Sequence, residues 1–211
     1  MQTKPDVVLF TAPQCPHCPQ VKQAFSQFEQ QGLIQQLTIY SADQSPDLAD
    51  QYQIRSVPWF RIGALTFTGQ HTAKEIQHWL QVACTEQGIY QYVTETLEAG
   101  RLAQVEQLIE QHPDTLCIAI KLIADNDAPL QARIGIGALI EGWAHQPILE
   151  KLLPQLTQSI ASDDHRHRSD ACYYLGMVNH PTAQQLLQQC LEDEHPEVRE
   201  IAQESLEALS V

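Results

Sequence analysis

The chain has no run of about eighteen consecutive apolar residues, which excludes a membrane-spanning helix. Its start also lacks the basic segment followed by an apolar one that marks an export signal. Met1 to Asp6 is polar, and the apolar run Val7-Val8-Leu9-Phe10 begins at once. A cytoplasmic address is the expectation. Basic residues are scarce: 12 Lys and Arg stand against 26 Asp and Glu, for a formal net charge of −14. A surface this acidic repels phosphate backbones and anionic lipid, so nucleic acid and membrane are not expected partners. The imbalance is uneven, with −1 over residues 1–83 and −13 over residues 84–211. It fits a basic protein partner, or simply a helical region kept soluble by its charge.

Cysteine is also sparse. The six cysteines do not form the dense pattern of a secreted disulfide scaffold. Cys84, Cys117, Cys172 and Cys190 are scattered singly; the last three fall inside helices beside apolar neighbours and read as packing groups, while Cys84 stands apart at the domain junction. Cys15 and Cys18 alone are closely spaced. A structural zinc site would need a second CxxC or a His pair, and none follows at suitable spacing, so no metal is expected there. His165 and His167, with Asp163 and Asp164, read as a solvated turn, because imidazoles two apart diverge at a helix start.

With 211 residues and 43% apolar content, the chain can build two cores. The first 83 residues alternate strand and helix signals. Val7–Thr11 reads as a buried strand, and Ala12-Pro13-Gln14 as a turn. A helix from Pro16 to about Gln31 carries Val21, Ala24, Phe25 and Phe28 on one face, with Gly32 as its stop. Leu37–Tyr40 is a strand, and Ser45-Pro46-Asp47 opens a short helix through Tyr52. Trp59–Ile62 and Leu65–Thr68 flank Gly63-Ala64 as a hairpin. Thr72 caps a last helix facing inward with Ile76, Trp79, Leu80 and Ala83. The order is βαβαββα.

Beyond Cys84 strand signals vanish. Helical segments are expected at about 86–99, 101–111, 114–124, 129–142, 147–160, 165–176, 181–192 and 196–209, with most of the intervening prolines at helix starts. Arg168, Ala171 and Leu175 recur 31 positions later as Arg199, Ala202 and Leu206, each set preceded by an acidic turn. Arg133, Ile136 and Ile140 give a weaker copy. The pattern over about 113–209 resembles HEAT-like repeats, in which helix pairs stack because none can bury its apolar stripe alone. An irregular helical bundle is the alternative.

Two thiols three residues apart at a helix start lie on one face and within disulfide reach. Unpaired N–H groups at a helix N-terminus favour a thiolate, so Cys15 is expected to attack and Cys18, one turn in, to resolve. His17, when protonated, would stabilise the thiolate further. Pro19 conflicts with an N-cap at Cys15, a conflict that a helix start one residue later removes.

The run Phe10 to Lys22, with Cys15-Pro16-His17-Cys18-Pro19 at its centre, resembles the glutaredoxin-like thioredoxins of the thioredoxin superfamily. So does Ile54-Arg55-Ser56-Val57-Pro58-Trp59, which is similar to the cis-proline segment of that superfamily. The resemblance covers residues 6–83. It implies that Pro58 packs against the disulfide and that the backbone of Val57 pairs with substrate. Cys15, Cys18, His17 and Pro58 are the expected catalytic set, and Pro16, Val57 and Pro58 the expected substrate-binding set. Leu9 stands where thioredoxins place a buried Asp. Gly69-Gln70-His71-Thr72 stands where glutaredoxins hold glutathione, so a thioredoxin-reductase-type electron donor is expected instead.

The expected architecture is an α/β thioredoxin-like domain over 1–84 followed by an all-α HEAT-like repeat domain over 85–211. The expected function is a cytoplasmic thiol-disulfide oxidoreductase, requiring no cofactor, whose helical half recruits disulfide-containing protein clients. A scaffold whose docking is switched by the dithiol is the alternative.

Overall fold

A computed structural model describes residues 4–209, so the outermost three and two residues of the two expected domains lie outside the described residues. The chain divides into two compact units after Tyr92.

In the first unit, β1 (Asp6–Thr11), α1 (Cys18–Gln30), β2 (Gln36–Ser41), α2 (Pro46–Gln51), β3 (Trp59–Ile62), β4 (Leu65–Thr68) and α3 (Ala73–Val82) follow the expected order. The sheet order is β2-β1-β3-β4. β1 pairs in parallel with β2, while β3 lies antiparallel to both β1 and β4. Because alternate strand residues point to opposite faces, Trp59 and Phe60 belong to different layers. Trp59 and Phe10 join Tyr40, Ala49 and Tyr52 on the α2 side. Phe60 stacks on Phe67 and meets Phe25 of α1 edge-on, with ring centroids 5.0 Å apart in that pair. Trp79 of α3 closes the same layer against Phe67.

The ends of these helices follow from sequence. Gly32, at φ +70°, ends α1 as a left-handed cap. Its N–H donates to Glu29 O at 2.9 Å and that of Leu33 to Phe28 O at 3.0 Å, satisfying two otherwise orphaned carbonyls. At α3 the Thr72 hydroxyl accepts the Glu75 N–H at 3.2 Å, and Glu75 Oε2 accepts the Thr72 N–H at 2.7 Å. This reciprocal capping box fixes where α3 begins.

α4 (Glu86–Glu98) begins in the first unit. Tyr92 belongs to the first unit, where its hydroxyl donates to Thr66 O at 2.7 Å and accepts the Thr66 N–H at 3.3 Å. Its ring also packs edge-on against Phe67 and Trp79. The compact unit therefore runs eight residues past the expected boundary at Cys84.

The second unit is helical: α5 (Leu102–Gln111), α6 (Ala119–Ala124), α7 (Leu130–Gly142), α8 (Leu153–Ser159), α9 (His165–Leu175), α10 (Pro181–Cys190) and α11 (Pro196–Leu209). Two of the expected segments begin as 3₁₀ turns, Pro113–Ile118 before α6 and Pro147–Leu152 before α8. Pro154 accounts for the second. A continuous α-helix from 147 would set its ring against the carbonyl of residue 150, whereas a helix starting at Leu153 holds it in the first turn.

The expected repeat has a physical basis. The Arg168 guanidinium donates to the carbonyls of Ser162 (2.9 Å) and Asp163 (3.3 Å). Arg199 makes the same pair of contacts 31 residues later, to Asp193 (2.7 Å) and Glu194 (3.0 Å). Each arginine thus ties down the turn before its own helix. Arg168 also reaches forward, forming a fork with Asp193 at 2.8 and 2.9 Å. That pair is nearly enclosed, with side chains 8% and 12% exposed. Arg133 instead donates its Nε to Ile123 O at 3.1 Å, which is why its copy of the pattern is weak.

Candidate functional site

The Cys15-Pro16-His17-Cys18 segment sits between β1 and the start of α1. After Thr11 the chain turns, with the Cys15 N–H donating to Ala12 O at 3.2 Å. His17 is the N-cap of α1, Cys18 its first residue, and Pro19 falls in the first turn. The helix therefore starts two residues later than an N-cap at Cys15 would require, and Cys18 lies at its mouth rather than one turn in. Pro19 is the reason. In the first turn its missing N–H costs nothing and its ring meets no helical carbonyl.

Cys15 and Cys18 form a disulfide, with Cα atoms 5.4 Å apart. Cys15 is half-buried, while Cys18 is 3% exposed. The Cys18 N–H, one of the free donors at the start of α1, points at Cys15 Sγ from 3.1 Å. A charge on Cys15 would thus meet both a direct donor and the positive end of the helix. His17 is exposed, and its side chain makes no capping hydrogen bond.

Against this motif lies the second element read from the sequence. The Val57–Pro58 peptide is cis, and Val57 O stands 3.6 Å from Cys15 Sγ. Pro58 is buried, and its carbonyl accepts the Gly69 N–H at 2.8 Å. Val57 is half-buried, and among the described residues its N–H has no hydrogen-bond partner. Pro16 is exposed beside Cys15. The fold therefore brings Cys15, Pro16, Cys18, Val57 and Pro58 to one corner of the first unit.

Leu9 is fully buried on β1, so no carboxylate occupies that position. The Gly69–Thr72 segment is already engaged in the fold. Gln70 bonds Gln20 at 3.4 Å, His71 meets Phe60 and Phe67 edge-on, and Thr72 caps α3.

The other cysteines differ from the pair. Cys84 is an exposed residue, but its sulfur lies near Gly63, and burial followed by the Asp6 charge pushes its thiol up. Cys172 and Cys190 are buried free thiols, and the Cys172 thiol is pushed up by its hydrogen bond with Cys190 and by burial. The histidines of the 163–167 turn go separate ways. His167 Nδ1 lies 3.4 Å from Ser162 Oγ, while His165 stacks on His195 with ring centroids 3.8 Å apart. The His165–His195 contact joins residues thirty positions apart, which no local spacing could reveal.

The mixed four-stranded sheet with its helices is consistent with a thioredoxin-like domain, and residues 6–81 match the family model described as a thioredoxin domain. Residues 106–207 match the model described as HEAT repeats. The chain thus joins a thioredoxin-like domain to HEAT repeats. No curated protein gives a significant match. A thioredoxin-like domain suggests a redox function and HEAT repeats suggest protein interaction. Among the described residues no helix is long and apolar enough to cross a membrane.

Proposed function

We propose that the protein is a cytoplasmic thiol-disulfide oxidoreductase in which Cys15 and Cys18 exchange disulfides with protein clients, and that residues 85–211 recruit those clients. The observation that carries this reading is the donor at 3.1 Å: the Cys18 N–H aimed at the more accessible of the two sulfurs. It favours a thiolate at Cys15 and a protected thiol at Cys18 in the reduced protein.

In the reducing direction, the Cys15 thiolate attacks a client disulfide. A Cys15–client mixed disulfide forms and one client thiolate leaves. Cys18, on losing its proton, attacks Cys15 Sγ. The intramolecular disulfide forms, and the second client sulfur leaves as a thiolate. Two electrons pass from the dithiol to the client, and a thioredoxin-reductase-type donor returns them. Val57 and Pro58 border the attack trajectory. The Val57 N–H offers a backbone donor to an extended client segment, while Pro16 and Pro58 supply apolar walls. His17 adds positive charge near Cys15 when protonated. Leu9 supplies no base for Cys18, so water or another group takes its proton.

Reduction of a protein disulfide with a thioredoxin-reductase-type donor tests the reading. Many client equivalents should be turned over per protein, and Cys15→Ser should abolish turnover. A single stoichiometric reaction without turnover would instead indicate a redox-switched scaffold. Efficient turnover with glutathione and glutathione reductase alone would overturn the choice of donor.

A further inference from the structure

The repeat unit holds a second cluster of reactive side chains that the redox chemistry does not use. His165 opens α9, His195 immediately precedes α11, and Glu197 lies in the first turn of α11. Their ligand-capable atoms all fall within 4.8 Å of one another. His165 Nε2 is 3.8 Å from Glu197 Oε2, and His195 Nδ1 is 4.0 Å from the same oxygen. His195 Nδ1 is buried as an atom and, among the described residues, has no hydrogen-bond partner.

We propose that His165, His195 and Glu197 form a binding site for a divalent first-row transition ion of the zinc class, held between the last two repeats. The spacings are too long for hydrogen bonds, which close at about 2.7–3.2 Å. They are close to what a shared ion demands: bonds of about 2.1 Å at tetrahedral angles set ligand atoms about 3.4 Å apart. An ion would also satisfy the orphaned His195 nitrogen. Two imidazoles and one carboxylate suit a borderline ion rather than magnesium or calcium, which prefer all-oxygen sets.

The stacked rings define the movement required. Their planes are 21° from parallel, so their lone pairs run side by side instead of converging. One ring must turn about its Cβ–Cγ bond to meet the ion, and the two side chains are 39% and 35% exposed. Asp163, Asp164, Asp193 and Glu194 also stand in the two turns, with Asp164 paired to Arg166 and Asp193 and Glu194 to Arg168.

The test uses the full chain with its Cys15–Cys18 disulfide intact, so that the dithiol cannot chelate. Titration with zinc chloride, followed by calorimetry, should show one site, and His195→Ala, His165→Ala and Glu197→Gln should each weaken it at least tenfold. His167→Ala, an imidazole from the same turn outside the cluster, should leave affinity within twofold. Cobalt should give d–d absorption without a thiolate charge-transfer band. Circular dichroism of each variant separates lost ligands from lost fold. If a folded Glu197→Gln or His195→Ala variant binds zinc as tightly as the parent, or if cobalt shows thiolate ligation, the proposal is wrong.

Discussion

At the scale of single residues, the two sulfurs differ by environment more than by chemistry. Cys15 is half-buried beside a donor N–H, whereas Cys18 is 3% exposed. After reduction, Cys15 should be alkylated faster than Cys18, with an apparent pKa below the free-thiol value of about 8.5. Mass mapping of the first adduct checks this, and faster labelling of Cys18 would invert the roles. Cys18→Ser should accumulate mixed disulfides that Cys15→Ser cannot form. This pair was legible because motif and spacing are local. Pro19 pointed to a start one residue past an N-cap at Cys15, yet placing that cap at His17, two residues on, took the three-dimensional path of the turn. The neighbourhood of Cys15 and Val57 was legible only through family resemblance, since 42 residues separate them and no periodicity links them.

At the scale of elements, caps and forks set stability. Replacing Thr72 with Ala should cost about 1 kcal/mol, as loss of an N-cap does, measurable as a lower urea midpoint. Hydrogen bonds from the Thr72 backbone and side chain hold the Glu75 carboxyl below its ordinary value. Its contribution is therefore full above the unfolded value near 4.3 and is lost as pH falls through the depressed one. Thr72→Ala should flatten that acid limb. The fork between Arg168 and Asp193 makes a larger case. Arg168 hydrogen bonds hold Asp193 low, so this link also persists at neutral pH and fails only in acid. Arg168→Ala should lower the melting temperature of the helical unit by several degrees, and clearly more than Arg199→Ala. Thermal scans of both variants decide it. The arginine repeat was readable as a pattern of letters. That one arginine also reaches the next turn was not, because its partner lies 25 residues ahead. Helix positions were legible from prolines and Gly32, while the 3₁₀ starts depended on how two segments bend.

At the scale of the whole molecule, recruitment and catalysis can be separated by truncation, but the cut must respect Tyr92. A chain ending at Gly88 loses that residue and should unfold at lower temperature than one ending at Glu98. The longer fragment should reduce a small model disulfide nearly as well as the full chain. Under the proposed recruitment, it should trap far fewer proteins as the Cys18→Ser variant, and the full-length trap should weaken with salt, given the −13 charge of residues 84–211. Equal trapping by both would leave the repeats a purely stabilising role. Tyr92 has one more consequence. β4 has a partner on one side only, and a strand so placed offers its outward N–H and C=O to any passing chain. On Thr66 both groups are already taken by a single phenol. Tyr92→Phe, which keeps the ring and removes the hydroxyl, should therefore expose that edge and raise concentration-dependent self-association, read by light scattering.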